Sequence, residues 1–333
     1  MQFKKLYVIR SGAYGDCLLL SSVLPFLFDR YESVSLELSL KGCELFWNDP
    51  RIDYLHLFEP RLIAEHEVDK KTFEHWEELP SLYPDHDILN FFCGIEASCI
   101  AIEGTTESIL PIAERKRKFH KNYYENHFEM AKVDMPPGWM HHNTLFFSRE
   151  EEDKVLRWKS ANRDTFNLLL LLGGSGIQKV FPTWIEGFCR RLIKELPKLK
   201  IFILGDKDCK NETWECERTI DLTCKTSFRQ ALHMTKYADY VLGPDSGLLC
   251  GAGMFGTPKT ILFTHVAKDQ LVKYHENDFS LQSKAECSPC YVLAHSGQMC
   301  PKEPIYNIFP VCTHMWDVEE IFNAINLQYM GKF

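Results

Sequence analysis

No stretch of this 333-residue chain holds the ~18 consecutive apolar residues that a membrane-crossing helix needs, and no leader pattern precedes the first strand signal at residues 6–10. A cytoplasmic protein is expected, at most peripheral at the inner membrane face. Basic excess is missing too: 38 Lys and Arg stand against 46 Asp and Glu, a net charge of −8, so no broad phosphate-tracking surface is expected and nucleic acid is excluded as a principal partner. The G-x-G-x-x-G fingerprint of a dinucleotide site is absent from the first glycine loop, which leaves a nicotinamide oxidoreductase weakly supported. There is no fixed-period repeat and no low-complexity tract.

Cysteine is plentiful, but the count of thirteen is odd and makes a poor disulfide framework. Nine are scattered, and Cys43, Cys93, Cys99 and Cys189 occupy apolar positions that read as small core residues. The other four, Cys287, Cys290, Cys300 and Cys312, open with a C-x2-C knuckle. Two thiolates so spaced can grip one ion, and two more complete a tetrahedral shell for zinc or iron. A reduced metal-free cluster and a redox pair at 287/290 are the alternatives. Such a metal would be structural, pinning segment 280–315, with His295 and His314 as substitute ligands.

The length suits two domains of about 150 residues each. Apolar runs alternate with helical patterns, as in parallel sheets covered by helices on both faces. Strands are predicted at 6–10, 33–40, 54–58 and 87–92, with a helix at 16–29. Pro136 to Asn143 and a polar connector at 148–163 mark the boundary, and the pattern then restarts. Phe166 to Leu172 reads as a strand buried on both faces, Trp184 to Leu196 as an amphipathic helix, Lys200 to Leu204 as a strand, Ser227 to Tyr237 as a helix, and 239–242 and 259–263 as strands. The expected organisation is an N-terminal Rossmann-like acceptor-binding domain at 1–150 and a C-terminal Rossmann-like domain at 163–315 carrying the cysteine-rich segment 287–312. A last helix at 316–333 is expected to pack back toward the first domain.

In open parallel sheets ligands sit beyond the carboxyl ends of the strands. Four loops lie there: Ser11–Asp16, Gly173–Lys179, Gly205–Asp208 and Gly243–Gly247. Asp16 can cap the helix it opens or act as a general base toward a hydroxyl, and one carboxylate can do both. Asp245, Ser246 and Gly247 follow a strand and open a Gly/Ala-rich helix, a backbone suited to phosphate, or simply a helix cap with close packing. Gly174 and Ser175 repeat the theme, with Lys179 able to neutralise a diphosphate. Asp206 and Asp208 are placed to contact a nucleoside or are solvated turn residues. The basic run Arg115, Lys116, Arg117, Lys118 and Lys121, assigned to the first lobe, suits an anionic acceptor or is a solvated face.

The segments "VIRSGAYGDCLLLSSVLPFL", "GGSGIQKVFPTWIEGF" and "GPDSGLLCGAGMFGTP" resemble glycosyltransferase family 9, the heptosyltransferases of bacterial surface-glycan assembly. The likeness spans nearly the whole chain. It implies the GT-B fold, two Rossmann-like doubly wound domains facing a central cleft. It also implies inverting transfer from a nucleotide sugar, typically ADP-heptose, to a hydroxyl of a glycan, glycolipid or protein, without a catalytic metal. By the same resemblance Asp16 is the base, Lys179 a diphosphate ligand, and Asp245, Ser246 and Gly247 the donor cradle; Gly15, Gly174, Ser175 and Asp208 are expected to line the donor from the positions of their loops. Relatives with late cysteine motifs hold iron. Homo-oligomers are possible for such a chain. Cys250 stands where the family usually places His, and Phe181 where it places Trp. A catalytically silent nucleotide-sugar-binding or scaffold protein of the same fold is the alternative reading.

Overall fold

The computed structural model describes residues 4–58, 68–91, 111–118, 120–174, 176–179, 184–207, 209, 214, 216–291 and 310–333. These divide into two compact units, one formed by residues up to 91 with 123–139 and 144–147, the other by 111–122, 140–143 and everything from 148 onward.

The first unit is built on a four-stranded parallel sheet in the order β3-β2-β1-β4, from β1 (Lys5–Arg10), β2 (Ser33–Leu38), β3 (Tyr54–Leu57) and β4 (His86–Asn90). In β1, Leu6 through Ile9 are all buried, as a central parallel strand covered on both faces requires. Between β1 and β2 run α1 (Tyr14–Leu20) and α2 (Leu24–Arg30), with α3 (Leu40–Phe46) before β3 and α4 (Val68–Leu82) before β4. The single helix expected at 16–29 is therefore two. The Ser21 and Ser22 hydroxyls donate to the carbonyls of Leu18 and Leu19 at 2.5 and 2.6 Å, and Pro25, which has no N–H to give a helix interior, falls in the first turn of α2.

The basic run does not lie in the first unit as expected. Helix α5 (Ile112–Lys118) groups with the second unit. There Lys116 Nζ lies 3.5 Å from the Ser288 carbonyl, Gln270 Nε2 donates to the Lys121 carbonyl at 3.2 Å, and Asn122 donates to the Asp269 carbonyl at 2.8 Å. Helix α6 (Tyr123–Ala131) belongs to the first unit and buries Tyr124, His127 and Phe128.

Residues 148–163 are not a connector. They form α7 (Arg149–Ala161), opened by a capping box in which Glu151 N–H donates to Ser148 Oγ and Ser148 N–H to Glu151 Oε2. The same Glu151 takes Arg229 Nε at 2.6 Å and Nη2 at 2.9 Å, which ties α7 to a residue 78 positions further on.

The second unit carries a six-stranded parallel sheet, order β10-β9-β8-β5-β6-β7: β5 (Phe166–Leu171), β6 (Leu199–Leu204), β7 (Thr219–Asp221), β8 (Tyr240–Pro244), β9 (Lys259–Phe263) and β10 (Leu281–Gln282). Helix α8 (Trp184–Glu195) buries Ile185, Phe188, Cys189, Leu192 and Ile193, a stripe of 3.6-residue period laid on β5 and β6. Helices α9 (Phe228–Thr235), α10 (Gly247–Met254) and α11 (Asp269–Val272) complete the cover. The last helix, α12 (Val318–Lys332), was expected against the first domain; its buried face of Ile321, Phe322, Ile325 and Tyr329 instead joins the core of the second unit around Phe166 and Leu199. Tyr329 Oη accepts the Lys198 N–H at 3.1 Å, and Lys332 pairs with Asp239 at 2.7 Å. Among the described residues no helix is long and apolar enough to cross a membrane.

Candidate functional site

Each sheet has one point where the strand order reverses. In the first unit the chain runs from β1 outward through β2 to β3, then returns to lay β4 on the other side of β1. In the second it runs from β5 through β6 to β7, then returns to lay β8 beside β5. The loops leaving the two reversing strands diverge and open a crevice at their carboxyl ends, where α/β sheets hold ligands. Both groups of polar residues singled out in the sequence lie at these points.

At the first crevice Asp16 is the third residue of α1. Its Oδ2 accepts the Ala13 N–H at 2.5 Å and its Oδ1 lies 3.2 Å from Arg10 Nη2, with about a quarter of the side chain exposed (24%). Both the capping role and an accessible carboxylate are thus realised. Gly12 makes this possible: its φ is +133°, and a Cβ there would fall 2.5 Å from Asp16 Oδ2. Ser39, the N-cap of α3, donates to the Gly12 carbonyl at 2.7 Å and fixes the loop from the next strand. Gly15 is half-buried in the first turn of α1, where no side chain stands before the neighbouring carboxylate.

Arg10 was not singled out in the sequence, because the last residue of a buried strand carries no motif signal of its own. It is the cation of this site. Nearly all of it is buried, its Nε lies 3.4 Å from the Asp16 carbonyl, and its Nη1 reaches the Phe91 carbonyl at the end of β4 at 3.5 Å. His127 was missed for the same reason. Burial, with Arg10 adding to it, pushes its imidazole down to about 4, partly opposed by the bond to the Tyr123 carbonyl and by Asp16.

At the second crevice Lys179, closing a 3-10 turn (Ile177–Lys179), pairs its Nζ with Asp245 Oδ2 at 2.8 Å. Gly174 lies against them: a Cβ there would come 3.1 Å from Lys179 Cβ and 3.3 Å from the Asp245 carbonyl oxygen. Ser246 is the N-cap residue of α10, yet its hydroxyl makes no capping bond, and its Oγ is buried without a hydrogen-bond partner. An uncapped helix start with Gly247 at its first position, a partnerless hydroxyl and a lysine held in place is a donor set that fits phosphate oxygens. Cys250, one turn in, is buried and its N–H bonds the Ser246 carbonyl at 3.0 Å. The turn is tied to β9 through Thr264 Oγ1, which donates to the Gln178 carbonyl at 2.9 Å.

Ser175, Asp208 and Cys300 lie outside the described residues, as do Phe181 and His295. Of the expected metal ligands, Cys287, Cys290 and Cys312 are described. Among the described residues no group of three or more His, Cys, Asp or Glu side chains is placed to hold a metal ion. The three described cysteines therefore do not by themselves form the expected shell.

No protein-family model matches the chain, and no curated protein matches it. Solved structures do. The fold is GT-B, that of family 9 glycosyltransferase structures. A glycosyltransferase family 9 protein from Veillonella parvula superposes with a TM-score of 0.66 at 12% identity over 99% of each chain. The Escherichia coli ADP-heptose LPS heptosyltransferase II does so at 0.63 and 12%, again over 99% of each. TibC, an iron-containing dodecameric glycosyltransferase from enterotoxigenic E. coli, gives 0.60 and 13% over 99% of this chain and 80% of its own, and has also been solved in complex with ADP-D-beta-D-heptose.

Proposed function

We propose that this protein is an inverting glycosyltransferase that moves a sugar, heptose from ADP-heptose in the favoured form, from a nucleotide diphosphate to a hydroxyl of a glycan, glycolipid or protein. The observation that carries the reading is the second crevice. Lys179 is fixed by Asp245 beside a helix start whose Ser246 hydroxyl is buried and unsatisfied. A diphosphate would satisfy that hydroxyl and the α10 amide groups and would take charge from Lys179.

In the proposed reaction the acceptor hydroxyl gives its proton to Asp16 as its oxygen bonds to the anomeric carbon, and the bond from that carbon to the diphosphate oxygen breaks. The transition state is oxocarbenium-like, and negative charge grows on the departing nucleoside diphosphate. Lys179, Ser246 Oγ and the amide groups at 246–248 would meet that charge, while Gly15 and Gly174 leave room for close approach. No step uses a metal. A structural zinc or iron would need Cys300 beside the described thiols, and elemental analysis of the purified protein tests for it.

The test is to incubate the protein with ADP-heptose, and separately with UDP- and GDP-sugars, with glycan acceptors, and to follow nucleoside diphosphate release. Release that requires acceptor and disappears in Asp16→Asn supports the reading. A second reading is a catalytically silent nucleotide-sugar-binding protein. It is favoured by the contacts that Asp16 already makes with Ala13 and Arg10 and by Cys250 in place of His. Tight donor binding with no release on any acceptor would select it.

A further inference from the structure

Glu37, the fifth of the six residues of β2, is 3% exposed, a costly place for a carboxylate. Two groups converge on its Oε2: Tyr7 Oη at 2.9 Å and His75 Nε2 at 2.7 Å. Burial, and then the Glu37 charge, raises the Tyr7 phenol, so Tyr7 keeps its proton and donates it to the carboxylate. Glu37 Oε1 is buried without a hydrogen-bond partner. An apolar pair would fill the same space without leaving that oxygen unsatisfied, so the carboxylate calls for a use beyond packing.

The imidazole of His75, on α4, supplies that use. A carboxylate accepts, so His75 Nε2 carries a proton and, in the neutral ring, Nδ1 is left as an acceptor. Phe58 fixes the ring plane, stacking on it with centroids 4.4 Å apart and planes 8° apart. Among the described residues His75 makes no hydrogen bond but the one to Glu37, and 29% of its side chain is exposed. A ring held at one nitrogen by a carboxylate and along its face by a phenyl group presents one directed acceptor.

Its place in the sheet says what reaches it. Strand β2 ends one residue after Glu37, and Phe58, the first residue beyond β3, gives its N–H to the Leu38 carbonyl at 2.9 Å. Both contacts of the His75 ring therefore lie at the carboxyl edge of the first sheet, where parallel sheets hold ligands. Ser39, two residues past Glu37, is the hydroxyl that donates to the Gly12 carbonyl and so steadies the loop leading to Asp16.

We propose that His75 is a substrate-binding residue of the first unit: its Nδ1, aimed by Glu37, accepts a hydrogen bond from a hydroxyl of the acceptor other than the one that reacts. The inference rests on the glycosyl-transfer reading and adds the class of acceptor to it, a saccharide with neighbouring hydroxyls. No bond is broken and no proton leaves the substrate at His75.

Two near-isosteres separate recognition from support of the fold. His75→Gln places an amide N–H near the Nε2 position, which keeps the link to Glu37 and loses the Nδ1 acceptor. It is expected to raise the KM for a saccharide acceptor about tenfold, the worth of one hydrogen bond, with donor KM and Tm unchanged. His75→Asn returns an acceptor oxygen near the Nδ1 position and gives up the link to Glu37. Its acceptor KM is expected to fall between those of wild type and His75→Gln, with a lowered Tm. A wild-type acceptor KM in folded His75→Gln overturns the proposal, as does a His75→Asn variant no better than His75→Gln. Nitrogen NMR decides the inference apart from turnover. In mildly alkaline solution the His75 ring should carry its proton on Nε2, and its Nδ1 resonance should move toward the hydrogen-bonded position on titration with free mannose or a heptose disaccharide. A ring protonated on Nδ1 instead, or an Nδ1 resonance that neither sugar moves, overturns the proposal. A moving resonance in a protein that transfers no sugar would defeat the glycosyl-transfer reading and leave the saccharide site standing.

Discussion

Lys179 and Asp245 meet at 2.8 Å across the crevice between the carboxyl ends of β5 and β8, with 15% and 11% of their side chains exposed. A pair so enclosed stays together only because each charge offsets the cost of burying the other. Lys179→Met should therefore act twice. It should lower Tm by leaving Asp245 uncompensated, and it should weaken nucleotide-sugar binding at least about tenfold through loss of a charge-assisted contact worth ~1.5–3 kcal/mol. Adding Asp245→Asn should restore Tm but not binding. Calorimetry on the three variants checks both halves, and recovery of binding in the double variant would contradict the donor role.

Gly12 gives a sharper test of the first site. Its φ of +133° is costly for any other residue, and the added Cβ would overlap Asp16 Oδ2. Gly12→Ala is expected to destabilise the fold by ~1–3 kcal/mol and to remove transfer activity while donor affinity persists. Denaturant titration and donor binding measured on the same variant separate the two effects.

Acid should loosen the first unit. His127 is held down to about 4 by burial and by Arg10, against an ordinary value of 6.5. Between those values the unfolded chain binds a proton at this position and the folded chain does not. Stability therefore falls as pH drops from about 6.5 toward 4, by up to ~3 kcal/mol, and is flat in this respect above 6.5. His275, lowered mainly by burial, works in the same direction in the second unit. Urea midpoints across this window should fall less steeply in His127→Phe than in the wild type, and equal slopes would show that the imidazole is not buried neutral.

The strands and the loops that leave them were legible because their signals are local. Val8 to Gly12 and Leu242 to Gly247 each set an apolar run against glycine within a few residues, and strand-end glycines are where backbones approach ligands. Asp16 and the 245–247 turn could be found for that reason. What escaped depends on distance in sequence. Arg10 looks like the end of a strand until β4 returns beside it, and His127 looks like a core residue until α6 carries it to Phe91. Helix α7 was hidden by its polar surface, since its anchors lie far along the chain, among them Glu151 to Arg229 across 78 residues and Trp158 to Phe202. The final helix displays an apolar face but nothing in that face says which core receives it. Residues such as Tyr329 and Lys332 find their partners, Lys198 and Asp239, only once the second sheet is assembled.

In the proposed transfer Asp16 takes a proton from the acceptor. Its most direct test is acceptor-dependent release of nucleoside diphosphate from ADP-heptose by the wild type and by Asp16→Asn, with donor affinity measured on both. Turnover is expected of the wild type, with a loss of about 100-fold or more in the variant and equal donor affinity. Undiminished turnover in a folded Asp16→Asn would contradict it.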